Sequence, residues 1–79
     1  MKQNIITALD IGSSNIRCII ARIKHPEHIE VLGISQNPSE GLEKGIVKDI
    51  QAVAEAVKKT IKEAENAAST KAINIFTNV

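Results

Sequence analysis

The stretch IITALDIGSSNIRCIIARI, residues 5–23, decides the fold. Its two halves are Ile-rich apolar runs, and between them stands Gly12-Ser13-Ser14-Asn15, four residues that favour a turn. In residues 5–11 an extended chain puts Ile5, Thr7, Leu9 and Ile11 on one side and Ile6, Ala8 and Asp10 on the other. Both sides are largely apolar, so this first strand is expected to be central and covered on both faces. Residues 16–23 make a second strand, apolar on both sides apart from Arg17 and Arg22 near its ends. The short connection makes the two antiparallel.

Toward the C-terminus, His25-Pro26-Glu27-His28 is the next turn, because proline stops ladder pairing and restricts the residue before it. Residues 29–35 form a third strand, where Glu30 interrupts the apolar pattern as on a strand nearer the sheet edge. Asn37-Pro38-Ser39-Glu40-Gly41 opens a loop that runs beyond Gly45. Asp49 then has the position of a helix N-cap, its carboxylate accepting from first-turn N–H groups. Ile50, Val53, Ala54, Val57, Ile61, Ala64 and Ala68 recur at helical spacing and predict a helix over about 49–67. Their stripe lacks the bulky Trp, Phe or Leu of a membrane-surface helix and suits packing on a sheet. Glu55 stands four residues before Lys59, the order of a surface pair that contributes about 0.2–0.5 kcal/mol. Residues 72–79 read as a fourth strand, with Ile73, Ile75, Thr77 and Val79 on one face. After a helical crossover it is expected to run parallel to the first strand, with right-handed connection. The expectation is one α/β domain over residues 1–79, in the order β-β-β-α-β, with an antiparallel three-stranded meander.

Composition narrows the function classes. The chain has 79 residues, room for one small domain. Phe76 is its one aromatic residue, so the core must be built from Ile, Val, Leu and Ala. Ten basic residues against nine acidic leave a net charge of +1, with the signs interspersed. That gives no electrostatic footprint for nucleic acid. Cys18 has no partner for an internal disulfide and lies mid-strand between Ile16 and Ile20, as a small core residue. His25 and His28 flank a proline without the spacing of a metal site. The short apolar N-terminus fits neither a signal peptide nor a membrane span, so a cytoplasmic setting is the expectation.

Asp10 is the residue that asks for chemistry. It ends an otherwise apolar strand, where an unpaired buried carboxylate would be costly. Either it caps the turn by accepting from the N–H groups of residues 12–14, or it faces a cleft and holds a hydrated divalent cation. The residues after it suit an anion. Gly12 lets the backbone come close, Ser13 and Ser14 supply hydroxyls, Asn15 supplies an amide, and a tight turn aims successive N–H groups at one point.

A D-x-G-S-S turn between the first two strands of a β-β-β-α-β unit resembles the first phosphate motif of the actin, hexokinase and Hsp70 superfamily, whose subdomain has an RNase H-like fold. Within it the chain resembles the bacterial cell division FtsA family. ITALDIGSSNIR, residues 6–17, is similar to that family's first strand and phosphate turn. VLGISQNPSEGLEKGIVKD, residues 31–49, is similar to its third strand and the loop entering its first helix, and residues 41–49 are the most family-specific piece. Residues 72–79 resemble its fourth strand, so the likeness covers essentially the whole chain. PilM-type pilus-assembly proteins, Hsp70-like ATPases and sugar kinases share the turn; a nucleotide-free interaction module is a further alternative.

The resemblance implies an N-terminal fragment of the actin-like ATPase subdomain, binding ATP with magnesium. Asp10, Gly12, Ser13, Ser14 and Asn15 would contact nucleotide, with Asp10 on magnesium through water. Many family members have Thr where this chain has Ser13 or Ser14, which keeps the hydroxyl. The family forms actin-like filaments of its own subunits and links the FtsZ ring to the inner membrane through a C-terminal amphipathic helix. The second phosphate motif, the adenosine motif and that helix are not in these residues, so the isolated chain is expected to bind ATP weakly or not at all. ATPase activity in the family is weak at most. A fourth strand with a free edge is further expected to favour self-association.

Overall fold

The protein is described by a computed structural model over residues 4–25, 28–44 and 46–77. Strands β1 (Asn4–Ile11), β2 (Asn15–His25) and β3 (His28–Pro38) form the meander. A two-stranded hairpin follows, β4 (Leu42–Glu43) with β5 (Ile46–Val47), then helix α1 (Ile50–Ala68) and strand β6 (Ile75–Thr77). The main sheet has the order β3-β2-β1-β6. β2 is antiparallel to both neighbours and β6 is parallel to β1, as the crossover demands. This is the expected α/β order with one small hairpin added.

Register turns the alternation of the sequence into two sheet faces. Thr7 lies beside Ile20, and Ile20 beside Gly33; Leu9 lies beside Cys18, and Cys18 beside Ser35. These rows face α1 and, with Ile5 and Ile16, make the core; Ile16, Cys18 and Ile20 are fully buried. Burying each isoleucine contributes about 1.5–3 kcal/mol. Desolvation of the buried Cys18 pushes its thiol pKa up, and the nearby Glu65 carboxylate adds to the effect. At Gly33 the helix backbone comes close to the sheet. A Cβ there would stand 2.7 Å from the Ala64 carbonyl oxygen and 2.8 Å from the Ala68 amide nitrogen.

Val57, Ile61, Ala64 and Ala68 of the expected helix stripe pack on the core, while the stripe departs from expectation nearer the start of the helix. Thr60 and Ala64 are the buried residues of α1, with Ala56, Val57, Ile61 and Ala68 packed against the core. Ala54 is exposed and Ile50 is 75% exposed, although both fall on the stripe that spacing predicts. Thr60 is tolerated inside because its hydroxyl donates to the Ala56 carbonyl at 2.7 Å. It also accepts from Asn37 Nδ2 at 3.0 Å, while the Ser35 hydroxyl donates to the Thr60 carbonyl. The N-cap is as expected, with Asp49 accepting from the amides of Gln51 and Ala52 at 3.1 and 3.2 Å. Among the described residues the ion pairs are Arg22–Glu30 and Lys24–Glu30, so the expected Glu55–Lys59 pair does not form.

Four further expectations need correction. β1 is central but covered on one face only. The opposite face carries the row Phe76–Ala8–Ile19–Ile34, in which Phe76 is 65% and Ile34 56% exposed. The dimensions of 43 × 22 × 15 Å leave room for two layers and not three. Next, β3 extends to Pro38, well past the expected end at 35. Proline is admissible there because β3 is an edge strand whose outer N–H row has no ladder partner. The loop expected at 41–49 contains the β4–β5 hairpin, entered through Gly41 at φ +88°, where its carbonyl accepts from the amides of Lys48 and Asp49. Finally, β6 is shorter than the expected 72–79, whose last two residues lie outside the described ones. Asn74 is left-handed at φ +53°, which takes Ile73 out of the strand. The break is bonded to β1: Asn74 Nδ2 donates to the Ile5 carbonyl at 2.9 Å, and the Thr7 amide donates to the Asn74 carbonyl at 3.2 Å.

Candidate functional site

The five residues singled out in sequence meet at one end of the sheet. With Ile11 beside Ile16, the β1–β2 connection is centred on Ser13-Ser14. The Gly12 amide donates to the Asn15 carbonyl at 2.9 Å and closes the turn. A Cβ on Gly12 would stand 3.2 Å from that same oxygen, so a side chain here crowds the turn itself. Ser13, Ser14 and Asn15 are exposed. Asp10 is exposed too, on the sheet face away from α1.

Two residues outside the expected set belong to the site. Arg17 is the cross-strand partner of Asp10. Opposite charges placed directly across an antiparallel pair attract. Arg17 Nε also donates to Gln36 Oε1 on β3 at 3.0 Å, so Asp10, Arg17 and Gln36 form a polar row that ends the apolar face. Sequence carried this signal: a two-residue turn at 13–14 sets residue 10 opposite residue 17. Ser39 is the other. Its hydroxyl donates to the Gly12 carbonyl at 2.5 Å and its amide to the Ser14 carbonyl at 3.0 Å. The turn is thus held from β3's end, 27 residues away along the chain.

The arrangement suits an anion at the tip, with a cation held only indirectly. Among the described residues no three His, Cys, Asp or Glu gather as a metal cluster. Asp10 is therefore a single acid, which fits magnesium in the way that ion is usually held, through one or two carboxylates and the phosphates of a bound nucleotide. The turn does not enclose a ligand. A hollow of about 200 Å³ lies further along, between the end of β3 and the first half of α1, lined by Asn37, Pro38, Glu40, Glu55 and Lys59 among others. Lys44, with φ +53° in the hairpin tip, is exposed. Among the described residues no helix is long and apolar enough to cross a membrane.

Known proteins resemble the chain both in structure and in sequence. In structure the chain is similar to the Aquifex aeolicus PPX-GPPA enzyme, with a TM-score of 0.50 at 16% identity, over 96% of this chain and 36% of that one. At that identity the likeness speaks for the fold alone. In sequence it is 33% identical over 78 residues to the cell division protein FtsA of Neisseria meningitidis, and 37% identical over 76 residues to that of Streptococcus pneumoniae. These alignments cover 99% and 94% of this chain but 19% and 16% of the relatives, so the chain spans less than a fifth of their length. The family model for cell division protein FtsA matches residues 7–77. With that match over nearly every described residue, the chain belongs to the FtsA family of cell division proteins.

Proposed function

We propose that this chain supplies the first phosphate-binding element of the ATP site in an FtsA-type cell division protein. The observation that carries the reading is the braced turn: exposed Ser13, Ser14 and Asn15 at a tip whose carbonyls at Gly12 and Ser14 are tied back to Ser39. Asp10, at the strand end, would sit toward the magnesium of the nucleotide through water, and Gly12 keeps the turn tight. Magnesium would supply charge neutralisation of the phosphates when bound; the chain's part would be to position and to donate hydrogen bonds. Because the turn is open, it grips one side of a nucleotide only, and the remainder of the site is to come from other parts of such a protein. In that setting the partners would be FtsZ and other FtsA subunits in actin-like filaments. The location would be the cytoplasmic side of the inner membrane at the division septum. ATPase activity by the isolated chain is not expected.

Isothermal titration of Mg-ATP into the chain and into Asp10→Ala tests this reading. The expected result is a Kd near the millimolar range for the parent, about −4 kcal/mol, and a weaker one for the variant. Equal, measurable affinities would sink it, and no binding to either would favour the second reading. The second reading, a nucleotide-free interaction module, is favoured by the uncovered sheet face with Phe76 and Ile34. It predicts no heat from Mg-ATP and self-association through that face or the β6 edge.

A further inference from the structure

We propose that Ser39 is the positioning residue of the phosphate turn. It fixes the peptide planes of the turn from outside the motif, so that their N–H groups face the anion. The inference rests on the reading of the turn as a phosphate site and adds a residue to it.

The geometry follows from the two bonds of Ser39. Its hydroxyl holds the Gly12 carbonyl at 2.5 Å and its amide holds the Ser14 carbonyl at 3.0 Å. No peptide among the described residues is cis. In a trans peptide the C=O and the following N–H point to opposite sides. Fixing the carbonyls of Gly12 and Ser14 toward Ser39 therefore directs the N–H groups of Ser13 and Asn15 away from it. A four-residue turn has several ways to orient its planes, and one external residue with a donor at each end of its reach selects among them. Selection matters for an anion, which needs the donors convergent before it arrives; ordering them on binding would cost affinity.

Ser39 is itself held. It follows Pro38, which pairs in register with Asn15, and precedes the loop that reaches Gly41, whose carbonyl takes the amides of Lys48 and Asp49. Asp49 in turn caps α1. The turn thus connects through Ser39 to the β4–β5 hairpin and the start of the helix. Nothing in the motif over residues 10–15 encodes this; the contact arises from the fold.

The test compares Ser39→Thr, which keeps the hydroxyl, with Ser39→Val, which has nearly the same shape without it. In the ¹⁵N-labelled 79-residue chain, the amides of Gly12 and residue 39 report the turn, since both donate within it. The expected result is that Val raises their hydrogen exchange by about tenfold, the loss of one hydrogen bond, and weakens the Mg-ATP-induced shifts of Ser13–Asn15 by a similar factor. Thr should leave both within about twofold. Far-ultraviolet circular dichroism and melting verify that both variants are folded, and Ser39→Ala against the parent gives the same comparison without the added methyl. Equal behaviour of the hydroxyl-bearing and hydroxyl-free variants would overturn the proposal. If Val loosens the turn but the parent's turn amides ignore Mg-ATP, the bracing stands and the nucleotide reading falls.

Discussion

Replacing Gly33 by alanine puts a methyl group where α1 already stands. The added Cβ would meet the Ala64 carbonyl oxygen at 2.7 Å, the Ala68 amide nitrogen at 2.8 Å and the Ala68 Cβ at 3.0 Å. Two of these are backbone atoms in the helix, so no rotamer change relieves them; the helix must lift by several tenths of an ångström. Overpacking of this kind costs about 1–3 kcal/mol. A glycine replaced in extended backbone returns about 0.4–1 kcal/mol by restricting the unfolded chain. The net lies between about 0 and 2.6 kcal/mol of loss, and backbone as the obstacle puts the expectation in the upper half of that range. For a domain of this size that lowers Tm by about 4–8 °C per kcal/mol. Ala68→Gly in the same chain should not rescue it, because it removes one of the three contacts and adds a helix glycine that costs about 1 kcal/mol. Thermal and urea denaturation followed by circular dichroism measure both variants. An unchanged or raised Tm for Gly33→Ala, or full rescue by Ala68→Gly, would refute the claim that backbone contact at Gly33 sets the helix-to-sheet distance.

Asp49→Ala removes the acceptor for the Gln51 and Ala52 amides and should cost about 0.5–2 kcal/mol in urea titration, with Asp49→Asn close to the parent. Cys18 should resist thiol reagents in the native protein and react on unfolding, because it is fully buried and burial pushes its thiol pKa up. The folded state then holds its proton when the unfolded state releases it, so stability should be level below the ordinary thiol value of 9.0 and fall as pH rises above it. Urea midpoints at several pH values, compared with Cys18→Ala, read this out. Light scattering coupled to size exclusion should show species heavier than 8.5 kDa at high concentration, through the Ile34–Phe76 face or the β6 edge; a clean monomer there would count against it.

The first hairpin was legible because two apolar runs flank four turn residues, and alternation then fixes which side chains face the core. The helix was legible in its length and its Asp49 cap. Its buried face was legible in Val57, Ile61, Ala64 and Ala68 but not at Thr60 and Ile50, because Thr60 reads as polar and Ile50 as apolar. Strands of two residues have no period to detect, which hid β4 and β5. Pro38 argued for a loop, and only the edge position of β3 makes it admissible in a strand. The left-handed Asn74 could not be foreseen from an alternating pattern that continues through it. At the site, the motif named the turn but not its brace. Ser39 lies 27 residues from Gly12, a distance that local pattern does not span. Arg17 is within reach of the sequence through hairpin register, although taken alone it reads as a charge near a strand end.

The central claim is that residues 12–15 present donors to the phosphates of a nucleotide. Residue-resolved amide shifts of the labelled chain during titration with Mg-ATP, with adenosine as control, test it most directly. The account predicts saturable shifts at Ser13, Ser14 and Asn15 with Mg-ATP, little from adenosine, and little change along α1. Shifts equal for the two ligands, or concentrated in the hollow beside Glu40, Glu55 and Lys59 with the turn silent, would contradict it.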